Sequence, residues 1–359
     1  MTLATAFDLV IFDLDGVVYL GTEAVLGAPA AIRAVVAAGT PVIYATNNAS
    51  RRPGEVAAVL STLDVPARTQ DVITSAQASA ELLAADLPAG AAVLPVGSPA
   101  LGEELAAVGL RPVASAADRP VAVVQGYGPQ VGWAMLAEAC VAIRGGARWV
   151  ATNLDATMPT PRGPLPGNGS LVAALRTALG GREPDLVVGK PEPGLFLASL
   201  RHRGGRPDRA LVVGDRLDTD IEGARRAGMA SLLVLTGVTT PADLLGAPAH
   251  QRPDHVAADL AGLSTVEEAT RVPEWADGVA AAAGWRVEVS GDQLVLARTD
   301  VAAEDPVAAL RALAAAAWAN PRWAAIRAAD DAAQRAVEQL GLAHLTRGTV
   351  ATADANAAG

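Results

Sequence analysis

Leu9, Val10, Ile11 and Phe12 form an unbroken apolar run that ends on Asp13, Leu14, Asp15 and Gly16. A short continuous run of that kind predicts a strand covered on both faces. "APAAIRAVVAAG" then predicts a helix stopped at Gly39, and "TPVIYATNN" a second strand that also ends on polar residues. "RPGEVAAVLSTL" reads as a helix and "DVITSA" as a short strand. From about Ala80 to Glu183 the rhythm repeats. "AAVLPVG", "VAVVQGY" and "ARWVATN" read as strands, "SPALGEELAAVG" and "GWAMLAEACVAIRGG" as helices. This stretch ends in a loop crowded with Pro and Gly, "DATMPTPRGPLPGNGS". Alternation resumes with "DLVVGKPEPGLFLASLRHRGG", read as strand, turn and helix, and "RALVVGDRLDTDIEGARRAGM", read as strand, acidic loop and helix. "ASLLVLTG" and "DHVAADL" close the series as strands.

After about Val272 the pattern changes. "GWRVEVSGDQLVLAR" alternates as a hairpin turning at Gly291 and Asp292. Two Ala-rich helical stretches follow, "PVAALRALAAAAWA" and "AAIRAADDAAQRAVEQLG". The expected architecture is therefore α/β. A doubly wound parallel-sheet core is built from 1–80 and 184–268, and a second α/β unit is inserted as a cap at 81–183. A small α+β module occupies 273–350, and 351–359 are expected to be disordered.

Polar residues cluster where the strands end. Strand side chains alternate, so Asp13 and Asp15 face the same side. The second strand ends on Thr46, Asn47 and Asn48, the "LVVG" strand on Lys190, and "ALVVG" on Asp215 with Asp218 and Asp220 behind it. Ligand sites of open α/β sheets lie outside the carboxyl ends of the strands. Carboxylates and a lysine in one such crevice point to a hard divalent cation with an anionic substrate, the pattern suited to Mg²⁺ and phosphate.

"DLDGV", "TNN", "GKP" and "GDRLDTD" match, in order and in strand context, the four motifs of haloacid dehalogenase-type (HAD) phosphatases. Over roughly residues 5–265 the chain resembles the subfamily with an α/β cap, which includes 4-nitrophenyl and phosphoglycolate phosphatases. The resemblance implies a doubly wound Rossmann-like HAD core and an aspartyl-phosphate mechanism. Asp13 would be the nucleophile, and Asp15 would protonate the leaving alkoxide and then deprotonate water. Mg²⁺ would be held by the Asp13 carboxylate, the Asp15 backbone carbonyl and Asp215. Thr46, with amides at Asn47 and Asn48, would bind the phosphoryl group. Lys190 would neutralise Asp13 and the transferring phosphoryl group, and Asp220 would orient Lys190 or metal-bound water from behind. The extra C-terminal module resembles that of the glycerol-3-phosphate phosphatase type, whose tail is likened to part of an acetyltransferase fold. The resemblance thus implies glycerol 3-phosphate as substrate, with phosphoglycolate or sugar and aryl phosphates as alternatives. A bifunctional, acetyl-CoA-binding acetyltransferase tail is disfavoured against a structural or interaction module, because no glycine-spaced turn precedes a helix between Trp275 and Leu345.

Composition narrows the partners. Net charge is −10 across 359 residues, which disfavours nucleic acid and makes local cations necessary for a phosphate substrate. Hydrophobic residues are 51% of the chain but aromatics only 3%, so the helices are expected to be Ala-rich and closely packed. No apolar run is long enough for a membrane span, and no leader pattern is visible, so a cytoplasmic protein is expected; a homo-oligomer is compatible with all of this. The single cysteine, Cys140, excludes an intramolecular disulfide and reads as a packing residue on a helix. Asp218, Arg51 and Arg52 read as solvated groups at helix starts. His202, His250, His255 and His344 lack metal-ligand spacing, and the tail tryptophans read as core.

Overall fold

The computed structural model describes residues 1–158, 160, 162–300 and 304–345; the expectation for 351–359 lies outside them. Six parallel strands form the central sheet, in the spatial order His255–Ala257, Ala230–Val234, Ala210–Gly214, Leu9–Phe12, Val42–Thr46, Val72–Thr74. The first three strands in sequence run outward one way from Leu9–Phe12, and the last three run outward the other way from Ala210–Gly214. The order therefore reverses between these two strands, which pair in register from Leu9–Ala210 to Phe12–Val213. Helices cover both faces, so the strands are buried throughout, as their unbroken apolar runs require.

Thr74 ends the sixth strand and caps the next helix, Ser75–Asp86, by accepting from Gln77 N. That helix leads into a second parallel sheet, ordered Leu186–Val187, Arg148–Ala151, Ala122–Gln125, Ala92–Val96, Arg111–Pro112. Here one expectation is corrected. The strand before Lys190 was read as part of the core segment 184–268, yet Leu186–Val187 pairs with Val150 and Ala151 of the cap sheet. An apolar run identifies a buried parallel strand but says nothing about which sheet receives it. The Pro/Gly loop also holds a two-stranded antiparallel pair, Thr157–Met158 with Leu165–Pro166, and the helix Asn168–Ala178 starts inside it.

The C-terminal module is a four-stranded sheet, Val279–Ala282, Trp285–Ser290, Gln293–Arg298, Ala325–Ala328. The hairpin turns at Gly291, whose φ of 63° suits a residue without Cβ. Ala325–Ala328 was expected to be helical; it pairs in parallel with Gln293–Leu296 instead. Asp330 separates it from the helix Asp331–Gln339 by capping Ala333 N, and its other oxygen accepts from Arg298 N. The long helix Pro306–Ala319 is buried from Val307 to Ala317. A helix apolar all round must be covered all round. This one packs between the module sheet and the central-sheet edge, and its residues share one apolar cluster with Leu244, Leu245 and Val256 of the core. Trp285 and Trp323 are buried there, and Trp275 and Trp318 pack against the cluster.

Candidate active site

Asp13 and Asp215 follow the two strands between which the sheet order reverses, where such sheets open a crevice. Asp13, Asp215 and Asp220 are all buried, and each offers an oxygen within 4.8 Å of the others. Lys190, also buried, lies among them. Its Nζ donates to Asp13 Oδ1 at 2.5 Å and to Asp220 Oδ1 at 2.7 Å. The second oxygen of Asp220 accepts from Arg216 N at 3.1 Å, so both are engaged. Asp220 sits in a single π-helical turn, Leu217–Ile221, whose apolar members Leu217 and Ile221 are buried in the core. Asp218 of that turn is exposed and pairs with Arg216.

Asp215 is held from the opposite side. Val238 N donates to its Oδ2 at 2.7 Å and Thr239 N to its backbone carbonyl at 3.1 Å, while Thr236 Oγ1 donates to Gly16 O at 2.6 Å. Its Oδ1 is buried and has no hydrogen-bond partner. A buried, unpartnered carboxylate oxygen beside Asp13 is the observation that fits a cation, because a bare acceptor there is costly. Gly16, at φ 81°, and Gly237 both back onto the Asp215 carboxylate so closely that a Cβ at either would overlap it.

The electrostatics agree. Burial, above all, raises the carboxyls of Asp13, Asp215 and Asp220; repulsion adds to it, from Asp15 on Asp13, from Asp220 and Asp13 on Asp215, and from Asp13 on Asp220. Burial alone would lower the Lys190 ammonium, but Asp13 and Asp220 outweigh it and hold the group charged. One lysine thus faces three acids, and a divalent cation would relieve the excess. Asp15 opens to solvent at the crevice mouth, yet the surrounding protein lifts its carboxyl, with Asp155 adding to the effect. That shift suits a group that must arrive protonated. Burial and then the Asp15 charge likewise keep the Tyr19 phenol neutral nearby.

Thr46 is buried at its strand end, and its Oγ1 accepts from Asn48 N at 3.1 Å. The side chains of Asn47 and Asn48 are spent on the protein. Asn48 Oδ1 accepts from Ser50 N and Oγ. Asn47 Oδ1 accepts from Lys190 N at 2.8 Å, and its Nδ2 donates to Lys190 O and to Asp155 Oδ2, both at 3.1 Å. The Asn47 carbonyl accepts from Ser75 Oγ and Asn153 Nδ2. Asn153 and Val238 were absent from the sequence-derived site, and Asp155 entered it only as the start of the Pro/Gly loop 155–170, expected to select the substrate. Asp155 and Asn153 lie in "TNLD", a polar strand end of the kind that marked the others, but in the cap. Val238 contributes a backbone N–H, which no side chain announces. Arg52, read as solvated, bonds across to Glu103 and Glu104 of the cap.

Family models for haloacid dehalogenase-like hydrolases match residues 10–111 and 187–263, and one for a GCN5-related N-acetyltransferase-like domain matches 282–342. The D-glycerol 3-phosphate phosphatase of Mycobacterium tuberculosis is 44% identical over 352 residues, covering 95% of this chain and 96% of that protein. The crystal structure of glycerol phosphate phosphatase from the same organism, in complex with magnesium, superposes with a TM-score of 0.87 at 45% identity, covering 95% of this chain and 99% of that one. A p-nitrophenyl phosphatase from Archaeoglobus fulgidus gives 0.67 at 29% identity, covering 72% and 98% respectively. Full-length similarity of this order, on a crevice with three buried acids around one buried lysine, leads to one conclusion: the chain belongs to the haloacid dehalogenase-like hydrolases, among their phosphatases.

Proposed function

We propose that this phosphatase hydrolyses glycerol 3-phosphate to glycerol and phosphate. The observation that carries the substrate is the 44% identical M. tuberculosis relative, which matches the whole chain, C-terminal module included. In this reading Asp13, Asp215 and the Asp15 backbone carbonyl would hold Mg²⁺, which would neutralise charge on the phosphoryl oxygens. The Lys190 ammonium favours the ionised form of Asp13 against the effect of burial, and Asp220 aims Lys190. A carboxylate oxygen of Asp13 attacks phosphorus in line, and the bond to the glycerol oxygen breaks as Asp15 delivers its proton to that oxygen. Asp15, now ionised, takes a proton from water. The water oxygen attacks the aspartyl-phosphate, phosphate departs, and Asp13 is regenerated. Thr46 Oγ1 and the Asn47 amide orient the phosphoryl oxygens, and the Asn48 amide joins them by leaving Thr46 Oγ1.

The test is a comparison of kcat/KM for glycerol 3-phosphate, phosphoglycolate, sugar phosphates and an aryl phosphate, with Mg²⁺ and with chelator. Glycerol 3-phosphate should lead and chelator should abolish turnover. A lead for phosphoglycolate would overturn the substrate, and metal-independent turnover would overturn the mechanism.

The acetyltransferase-like match supports weighing a second activity in the module. Against it, Asp305 occupies the start of the helix Pro306–Ala319 with its own carboxylate, accepting from Val307 N at 2.9 Å. A cofactor pyrophosphate would meet negative charge where it needs free amides. An acetyl-CoA titration should therefore give no binding. The reading includes a cytoplasmic location, consistent with one unpaired cysteine, and self-association through the cap helix Trp133–Arg144, on which Trp133 is 83% and Val141 60% exposed. Among the described residues no helix is long and apolar enough to cross a membrane. Light scattering of Trp133→Glu against the parent tests the oligomer: equal masses would remove that part of the proposal.

A further inference from the structure

The segment that follows Val234 has two jobs. Its first part, Thr236 to Thr239, supplies the hydroxyl and the two amides that fasten Gly16 O and Asp215. Its second part is the short helix Pro241–Gly246, capped by Thr240 through a reciprocal pair with Asp243. Six residues cannot hold a helix on their own, so something must pin this one. The C-terminal module does so. Trp318 Nε1 donates to Leu244 O at 2.9 Å, and Arg252, whose Nε donates to Ala247 O, lies 5.3 Å above the Trp318 ring. Leu244 and Leu245 are buried in the cluster formed by Pro306–Ala319. Arg311, buried on that same helix, fixes the arrangement to the sheet by donating to Val256 O at 2.8 Å. The cluster also takes in Leu217 and Ile221, the apolar sides of the turn that carries Asp220.

We propose that the C-terminal module is a brace for the catalytic crevice, with Trp318 as a positioning residue that holds the segment 236–246 so that Val238 N keeps Asp215 turned with its free oxygen toward Asp13. The consequence for metal binding rests on reading Asp215 as a Mg²⁺ ligand; the brace itself does not. The module thus acts on the reaction without binding a ligand of its own.

The test uses the full chain. Trp318→Phe keeps an aromatic ring under Arg252 and removes the donor to Leu244 O together with one ring of the indole. Amide exchange at Val238 and Thr239 should accelerate by about tenfold, and calorimetric Mg²⁺ affinity of the apoprotein should fall by about fivefold, the loss expected for one hydrogen bond. kcat at saturating Mg²⁺ should stay within about twofold. Val337→Ala, in the module helix Asp331–Gln339, is the control: it should lower Tm while leaving exchange at 236–246 and Mg²⁺ affinity unchanged. Parental exchange rates at Val238 and Thr239 in Trp318→Phe would overturn the brace, as would equal changes in both variants. Parental protein that binds no Mg²⁺ would instead overturn the ligand reading, and the exchange data would still decide the brace.

Discussion

Gly237→Ala is the sharpest test of how the crevice is built. Gly237 lies outside the left-handed region that favours glycine, so what an alanine meets there is Asp215. The added Cβ would stand 2.8 Å from the Asp215 Cβ and closer still to the carboxylate, where real contacts keep at least about 3.0 Å. The carboxylate must therefore retreat by about 1 Å, which breaks its 2.7 Å bond from Val238 N. A hydrogen bond to a charged acceptor contributes about 1.5–3 kcal/mol, and metal–ligand distances tolerate only about 0.2 Å. Mg²⁺ affinity should fall between about tenfold and a hundredfold. The assay is calorimetric titration of the full chain, with circular dichroism and Tm to establish folding. Gly102→Ala, whose Cβ meets only Pro95 Cγ at 3.8 Å, should leave Mg²⁺ affinity untouched. A folded Gly237→Ala protein with parental Mg²⁺ affinity would refute the reasoning.

Other outcomes follow from the same geometry. Asp13→Asn should lower kcat by at least about 10⁴-fold and leave no phosphoenzyme in acid-quenched samples read by intact mass; a phosphorylated, active variant would sink the nucleophile assignment. Asn47→Ala should cut kcat/KM by about a hundredfold while Tm drops only a few degrees, because it releases Lys190 and Asp155 rather than core packing. Burial, and then Arg271, push buried His255 down from 6.5 to about 4. Its neutral form therefore adds stability that is full above pH 6.5, shrinks as pH falls from there toward 4, and is flat below. The ceiling is about 3 kcal/mol. Chemical denaturation of the parent and of His255→Asn at pH 4.5 and 7 should differ in slope over that window; identical pH dependence would remove the assignment.

Much of the crevice was legible because its chemistry sits at strand ends, within three residues of an apolar run. Asp13, Asp15, Lys190, Asp215 and the Thr46–Asn48 turn each carry that local mark. What escaped is what depends on distant neighbours. Leu186–Val187 reads equally well as a strand of either sheet. Ala325–Ala328 has helix-forming residues, and only pairing with Gln293–Leu296 makes it a strand. The Ala-rich composition of Pro306–Ala319 announced close packing but not that one of its faces would be the edge of the catalytic sheet. The Asn47 side chain binds Lys190 and Asp155, a role that its sequence position does not reveal because both partners lie more than a hundred residues away.

Asn47 has a mechanical consequence. The chain crosses between core and cap twice, outward near Ser75 and back near Lys190. A joint with two crossings can in principle bend and shear about each one separately. Here Asn47 grips both: its carbonyl takes Ser75 Oγ, and its side chain takes both backbone groups of Lys190 and the carboxylate of Asp155. The two crossings are clamped into one axle. Any swing of the cap about these crossings would work against the bonds that place the lysine beneath it.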